Sequence, residues 1–152
     1  MGLWFEELTP GLKLEHQVRR TVTEMDNVLF STLTMNPQPL HLDEQFAADS
    51  EFGTRVVNGL FTLSLVIGLS VSDISLGTTI ANLAYDVVEM PAPVRHGDTI
   101  HVTSEILDAR PSRSRPNQGI VKLEHRGYNQ NDVLVSRVVR TALFLRRPAG
   151  QV

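Results

Sequence analysis

One histidine stands where acid–base chemistry could occur. His41 closes the segment T-M-N-P-Q-P-L-H, from Thr34 to His41, in which Asn36 and Gln38 alternate with Pro37 and Pro39. A histidine titrates near pH 6.5 and has two usable ring nitrogens, so it can take a proton from water around neutrality. The alternative is a ring hydrogen-bonded to a turn. Asn36 either orients a water for His41 or stabilises the turn beside Pro37; a carboxamide cannot itself accept the water's proton. Gln38 either binds a polar group of a ligand or braces the loop. The nearest acids, Asp43 and Glu44, favour the first turn of a following helix.

Two other sets of residues suit a ligand. In V-V-N-G, Val56 to Gly59, the free N–H groups of a helix start, aided by the helix dipole, can polarise a carbonyl. Gly59 equally permits close backbone packing, and Asn58 suits the cap. Arg95, Arg110, Arg113 and Arg115, with Lys122 and Arg126, form a candidate platform for phosphates. The net charge is -3, yet residues 1–90 hold 4 basic and 12 acidic side chains while residues 91–152 hold 10 and 5. Such a positive half suits a small phosphorylated ligand better than a nucleic acid.

The elements that must position these groups follow from periodicity. Val56 to Val71 is 16 residues of dense apolar spacing, with Leu60, Leu63, Ile67 and Val71 as one stripe. A helix of that length spans roughly 24 Å, too short for a bilayer. It is expected to be a core helix, buried nearly all round. Leu12 to Thr23 alternates as a first strand. Thr23 and Asp26 suit the start of a short helix carrying Val28, Leu29 and Leu33 inward. Leu42 to Ala48 is helical in character, and Phe52 to Arg55 turns the chain. Thr78–Val88, Thr99–Leu107, Gly119–Tyr128 and Val133–Leu145 read as four late strands. Pro111 to Gln118 reads as a polar loop, residues 1–10 with Trp4 and Phe5 as an apolar anchor, and Arg146 to Val152 as a frayed tail. The fold class is α+β, a curved, mostly antiparallel sheet wrapped around one long helix, in a single domain over 1–152.

The segment F-S-T-L-T-M-N-P-Q-P-L-H-L-D-E-Q-F-A, Phe30 to Ala47, together with V-V-N-G and P-A-P-V-R-H-G-D-T from Pro91 to Thr99, resembles the MaoC-like, R-specific enoyl-CoA hydratase family of the hot-dog fold. The resemblance covers nearly the whole chain. It implies that His41 is the catalytic histidine, that Gly59 offers its N–H to the thioester carbonyl, and that Asn36 and Gln38 replace the family's aspartate and asparagine. It implies an acyl-CoA hydratase/dehydratase interconverting trans-2-enoyl-CoA and (R)-3-hydroxyacyl-CoA, on a short, branched or carboxylated acyl group, with no cofactor beyond the coenzyme A of the substrate. It further implies a homodimer or higher homo-oligomer. The alternatives are a hot-dog acyl-CoA thioesterase and a catalytically impaired acyl-CoA binding subunit.

Several classes are disfavoured. With no cysteine there is no disulfide, thiolate metal site or cysteine nucleophile. His96 and His101 lack companion ligands, so no metal is expected. There is no phosphate-binding glycine loop, dinucleotide fingerprint or Gly-x-Ser-x-Gly elbow. Met1 to Pro10 lacks the basic start and apolar run of an export signal, so a cytoplasmic location, with no nucleic-acid or membrane partner, is the expectation.

Overall fold

The computed structural model describes residues 1–148. Its sheet is antiparallel throughout. β1 (Lys13–Glu15) pairs with β4 (Thr99–Pro111), followed by β5 (Gln118–Tyr128), β6 (Leu134–Leu145) and β3 (Thr79–Glu89), while β2 (Arg20–Thr21) pairs with the start of β4. Four α-helices precede β3: α1 (Glu24–Leu33), α2 (Pro39–Leu42), α3 (Glu44–Ala48) and α4 (Gly59–Ile74). The expected α+β architecture is present; burial alternates along the first part of β4 and of β5, whereas β3 is largely exposed and β6 largely buried.

α4 keeps the expected length but starts three residues later. Val57 N–H donates to Val94 O, Val56 bridges Arg95, and the Asn58 side chain accepts from Leu60 N–H. The two β-branched valines therefore remain extended, and Asn58 is the cap. The helix is not buried all round. Its inward residues are Thr62, Val66, Leu69, Ser70 and Ile74, whereas Leu60 is 57% exposed and Ser64 and Gly68 lie open. The expected core stripe of Leu60, Leu63, Ile67 and Val71 lies on the half-open side.

α1 differs in the same way. Thr23 and Asp26 form its capping box as expected. Its buried residues, however, are Asn27 and Ser31, one turn apart, and Val28, Leu29 and Leu33 face outward. The expected first strand splits into β1 and β2 because His16 turns its ring into the protein. Pro39 opens α2 at a position where a missing N–H costs nothing, so the segment expected to be an irregular loop contains a helical turn. Arg146 and Arg147 are held by Glu6 and Glu7 rather than frayed; the rest of the expected tail, 149–152, lies outside the described residues.

The core has two apolar parts. Val22, Val57, Val66, Val102 and Val138 belong to one, and Leu8, Ile74, Ile106, Leu123 and Phe144 to the other. Between them runs a polar belt. Ser104 follows Val102 inward on β4, His125 pairs with it on β5, and Arg140 lies between Val138 and Ala142 on β6. β3 closes one edge with Ile80, Leu83, Tyr85 and Val88 exposed. No helix among the described residues is long and apolar enough to cross a membrane.

Candidate active site

The buried amide of Asn27 organises the loop that carries His41. Its Nδ2 lies 3.0 Å from His41 O, 3.2 Å from Val56 O and 3.0 Å from His96 Nε2, and its Oδ1 accepts from Asn58 N–H at 2.9 Å. One side chain of α1 thus ties together α2, the approach to α4, and the turn before β4. An Asn can do this because it offers donors and an acceptor from one planar group.

The His41 ring completes the cradle. Its Nδ1 lies 2.9 Å from Val56 O. A carbonyl only accepts, so Nδ1 carries the proton and Nε2 keeps its lone pair. The ring is half-buried and is thereby presented as a base. At the neighbouring helix start, Leu60 N–H is capped by Asn58, while the Gly59 N–H finds no acceptor among the described residues. A Cβ on Gly59 would lie 2.3 Å from Met90 Sδ, so close packing also favours glycine here. Gly59, Val57, Phe52, Met90 and Pro91 line a cleft of about 350 Å³.

Asn36 serves the turn. Its Oδ1 accepts from Gln38 N–H at 3.1 Å across Pro37, leaving its Nδ2 as the group free to meet a water. It lines a separate hollow with Ser31, Met35 and Leu42. Gln38 is exposed and caps α2 without a side-chain bond. Asp43 accepts from Phe46 N–H to start α3, and Glu44 pairs with Arg55 at 2.6 Å, a carboxylate lowered chiefly by that arginine. Both acids hold structure, as expected.

The candidate phosphate platform does not assemble within this chain. Arg95 does not line the cleft but donates to the main chain of one residue that does, Phe52 O at 3.3 Å. Arg110, Arg113 and Arg115 belong to the far end of the β4–β5 hairpin, more than ten residues along β4 from Thr99 and Arg95. Lys122 pairs with Asp86 at 3.4 Å and Arg126 with Glu124 at 2.9 Å. Among the described residues no three metal-ligating side chains converge. His96 is instead part of the cradle, its pKa lowered first by burial and then by Arg55.

Asn27 and His96 escaped the reading of the sequence. Asn27 and Ser31 recur at helical spacing, but polar residues at that spacing ordinarily mark a wet face.

The chain is similar to known proteins in sequence and in fold. Residues 6–129 match the family described as MaoC like domain. The chain is 34% identical over 117 residues to a 3-hydroxybutyryl-CoA dehydratase of Methylorubrum extorquens, covering 74% of this chain and 69% of that protein. It is 31% identical over 146 residues to a β-methylmalyl-CoA dehydratase of Chloroflexus aurantiacus, covering 96% of this chain and 41% of that one. The chain therefore spans less than half of the second relative. The crystal structure of a MaoC-like dehydratase from Rhodospirillum rubrum superposes with a TM-score of 0.85 at 31% identity, over 97% of this chain and 99% of that one. A Mycobacterium tuberculosis protein described as a double hot-dog fold shares the fold, with a TM-score of 0.85 at 21% identity over 99% of this chain and 46% of that one.

Proposed function

The chain belongs to the MaoC-like domain family, and from that premise we propose that it is an acyl-CoA hydratase/dehydratase interconverting trans-2-enoyl-CoA and (R)-3-hydroxyacyl-CoA. The observation that carries this reading is the His41 ring, fixed with Nδ1–H on Val56 O and Nε2 bare, in the same cradle as the helix start that bears Gly59. In the hydration direction His41 Nε2 takes a proton from water as the hydroxyl adds to C3. The electrons of the double bond pass toward the thioester oxygen, where Gly59 N–H and the start of α4 stabilise the charge. His41 Nε2–H then gives that proton to C2 of the enolate, which adds one water across the bond and returns the ring to its starting state. Asn36, through its Nδ2, orients that water without exchanging protons. Gln38 and Asn58 border the substrate, and Arg95 is the basic residue best placed for a phosphate of coenzyme A.

The reaction needs no cofactor beyond the coenzyme A of the substrate. Residues 1–152 act as one hot-dog domain in the cytoplasm, without a nucleic-acid or membrane partner. The domain assembles as a homodimer or higher homo-oligomer, because the exposed edge of β3 and open side of α4 call for a cover. Arg110, Arg113 and Arg115 would reach a ligand only as a second copy brings them near. The bond from Gln38 N–H to Asn36 Oδ1 favours one other reading, a binding subunit whose loop asparagine is committed to structure.

The test is turnover of enoyl-CoA thioesters, followed by enoyl absorbance, for the wild type, His41→Ala and Asn36→Asp. The expected result is wild-type turnover that falls about 10²–10⁴-fold in His41→Ala. An inactive wild type with an active Asn36→Asp would establish the binding reading instead.

A further inference from the structure

A second polar network crosses the core away from His41. Asp73 Oδ2 lies 2.7 Å from His16 Nδ1, and His16 Nε2 lies 2.8 Å from Ser104 Oγ. Ser104 Oγ lies 2.7 Å from His125 Nδ1, and Arg140 Nε donates to His125 Nε2 at 2.9 Å. A guanidinium can only donate, so with both imidazoles neutral each bond downstream takes one direction. His125 Nε2 accepts, its Nδ1–H donates to Ser104, the serine donates to His16 Nε2, and His16 Nδ1–H donates to Asp73. The first three residues have the order of a hydrolytic triad. Ser104 is nonetheless no nucleophile, because its hydroxyl is buried and engaged by a ring on each side.

What the network holds is Arg140. This side chain is 2% exposed, and among the described residues it has no carboxylate partner. Arg55 and Arg137, by contrast, each have two. Its other partner is the neutral Oδ1 of Asn82, whose Nδ2 donates to Tyr85 Oη at 3.4 Å. The tyrosine hydroxyl accepts there, so its own hydrogen remains to donate. Tyr85 pairs with Arg140 across β3 and β6, which puts both side chains on the helix-facing side of the sheet. Tyr85 also lines the groove of about 450 Å³ formed with Phe30, Leu60, Leu63 and Ile67, which starts one residue after Gly59. Arg140 does not itself line the groove; it lies behind Tyr85, joined to it through Asn82, and such a pair of donors behind an apolar groove suits an acceptor-only anion at the end of an apolar chain.

We propose that Arg140, with Tyr85, is a specificity residue that receives a carboxylate at the distal end of the acyl group, so that the preferred ligands are thioesters of dicarboxylic acids. This rests on the acyl-CoA reading above. Burial of an otherwise unpaired cation is costly, and the ligand's carboxylate offsets it. Burial also lowers the pKa of Arg140 from the usual guanidinium value.

The experiment measures binding by calorimetry, so that turnover is not required. Succinyl-, glutaryl- and adipyl-CoA are each compared with the monocarboxylic thioester of equal carbon number, in the wild type, Arg140→Met, Arg140→Lys and Tyr85→Phe. The expected wild-type preference is about tenfold or more for at least one dicarboxylic member. It falls to within about twofold in Arg140→Met, and is partly kept in Arg140→Lys and Tyr85→Phe. A wild-type ratio near one throughout, or a ratio that Arg140→Met leaves intact, overturns the assignment. Should Arg140→Met not fold, the ratios in the other two variants decide by the same rule. A kept preference without turnover of any enoyl thioester would sink the hydratase reading alone, and turnover without the preference would sink the anion site alone.

Discussion

The molecule contains two polar networks, and they differ in what they leave unspent. The Asn27 cradle fixes its members but leaves the His41 Nε2 lone pair and the Gly59 N–H without a partner among the described residues. The Asp73–His16–Ser104–His125–Arg140 relay uses both nitrogens of both rings and its hydroxyl in both directions. A half-spent network at the surface can take part in chemistry. A spent network in the core can only hold a position, and in this chain it holds a cation. Titratable residues alone would have pointed to the wrong place, since two of the five histidines and the triad-like order belong to the relay.

This contrast breaks most sharply at Asn27. Asn27→Ala removes the tie between α1, α2 and the start of α4 and leaves the Asn58 N–H without its acceptor. Turnover is expected to fall about 10²-fold, because the ring and the helix start lose their mutual register. Stability should fall by about 3 kcal/mol, visible in denaturant unfolding. If only stability falls, the cradle is scaffold and does not align the site.

Ser104→Ala cuts the relay at its centre and orphans a ring nitrogen on either side. A loss of about 1–3 kcal/mol is expected, lowering the melting temperature by a few degrees, with enoyl turnover on a monocarboxylic thioester little changed. Turnover falling as far as in Asn27→Ala would erase the distinction between the networks.

The smallest effect concerns pH. Burial, then Arg140 and His16, hold the His125 pKa well below the ordinary value, and His96 is lowered in the same direction. Below about pH 6.5 the unfolded chain then binds more protons than the folded one, so stability falls as pH falls. It is fully present above the unfolded value and is lost toward the depressed folded ones. His125→Gln, which keeps an acceptor for Arg140 and a donor for Ser104, should flatten that slope in melting curves between pH 7 and 5. An unchanged slope would assign the effect to other groups.

Much of this architecture was legible in the sequence. Alternation located β4 and β5, β-rich composition located β3, the Thr23–Asp26 pair located the start of α1, and the proline-flanked segment singled out His41. What failed did so for a common reason. Periodicity assigns the apolar face of α1 to the core, yet the atoms awaiting α1 are main-chain groups of His41, Val56 and Asn58, which only a polar side chain can satisfy. The expected stripe of α4 is apolar yet lies on the half-open side, which periodicity alone cannot tell from a buried one. Arg110, Arg113 and Arg115 share a charge with Arg95, but a hairpin carries them to the other end of the sheet. The relay joins residues 57, 88, 21 and 15 positions apart, a pattern that no local window contains.

The fixed sense of the relay also bears on how this protein can change over generations. Replacing Arg140 strands a lone pair on His125, replacing His125 strands Ser104, and each repair calls for another, so single substitutions meet a barrier that paired ones avoid. A descendant that turned to a ligand without the anion would be expected to shed the cation and its supporting rings together. These positions would then be inherited as one character, present in full or replaced in full.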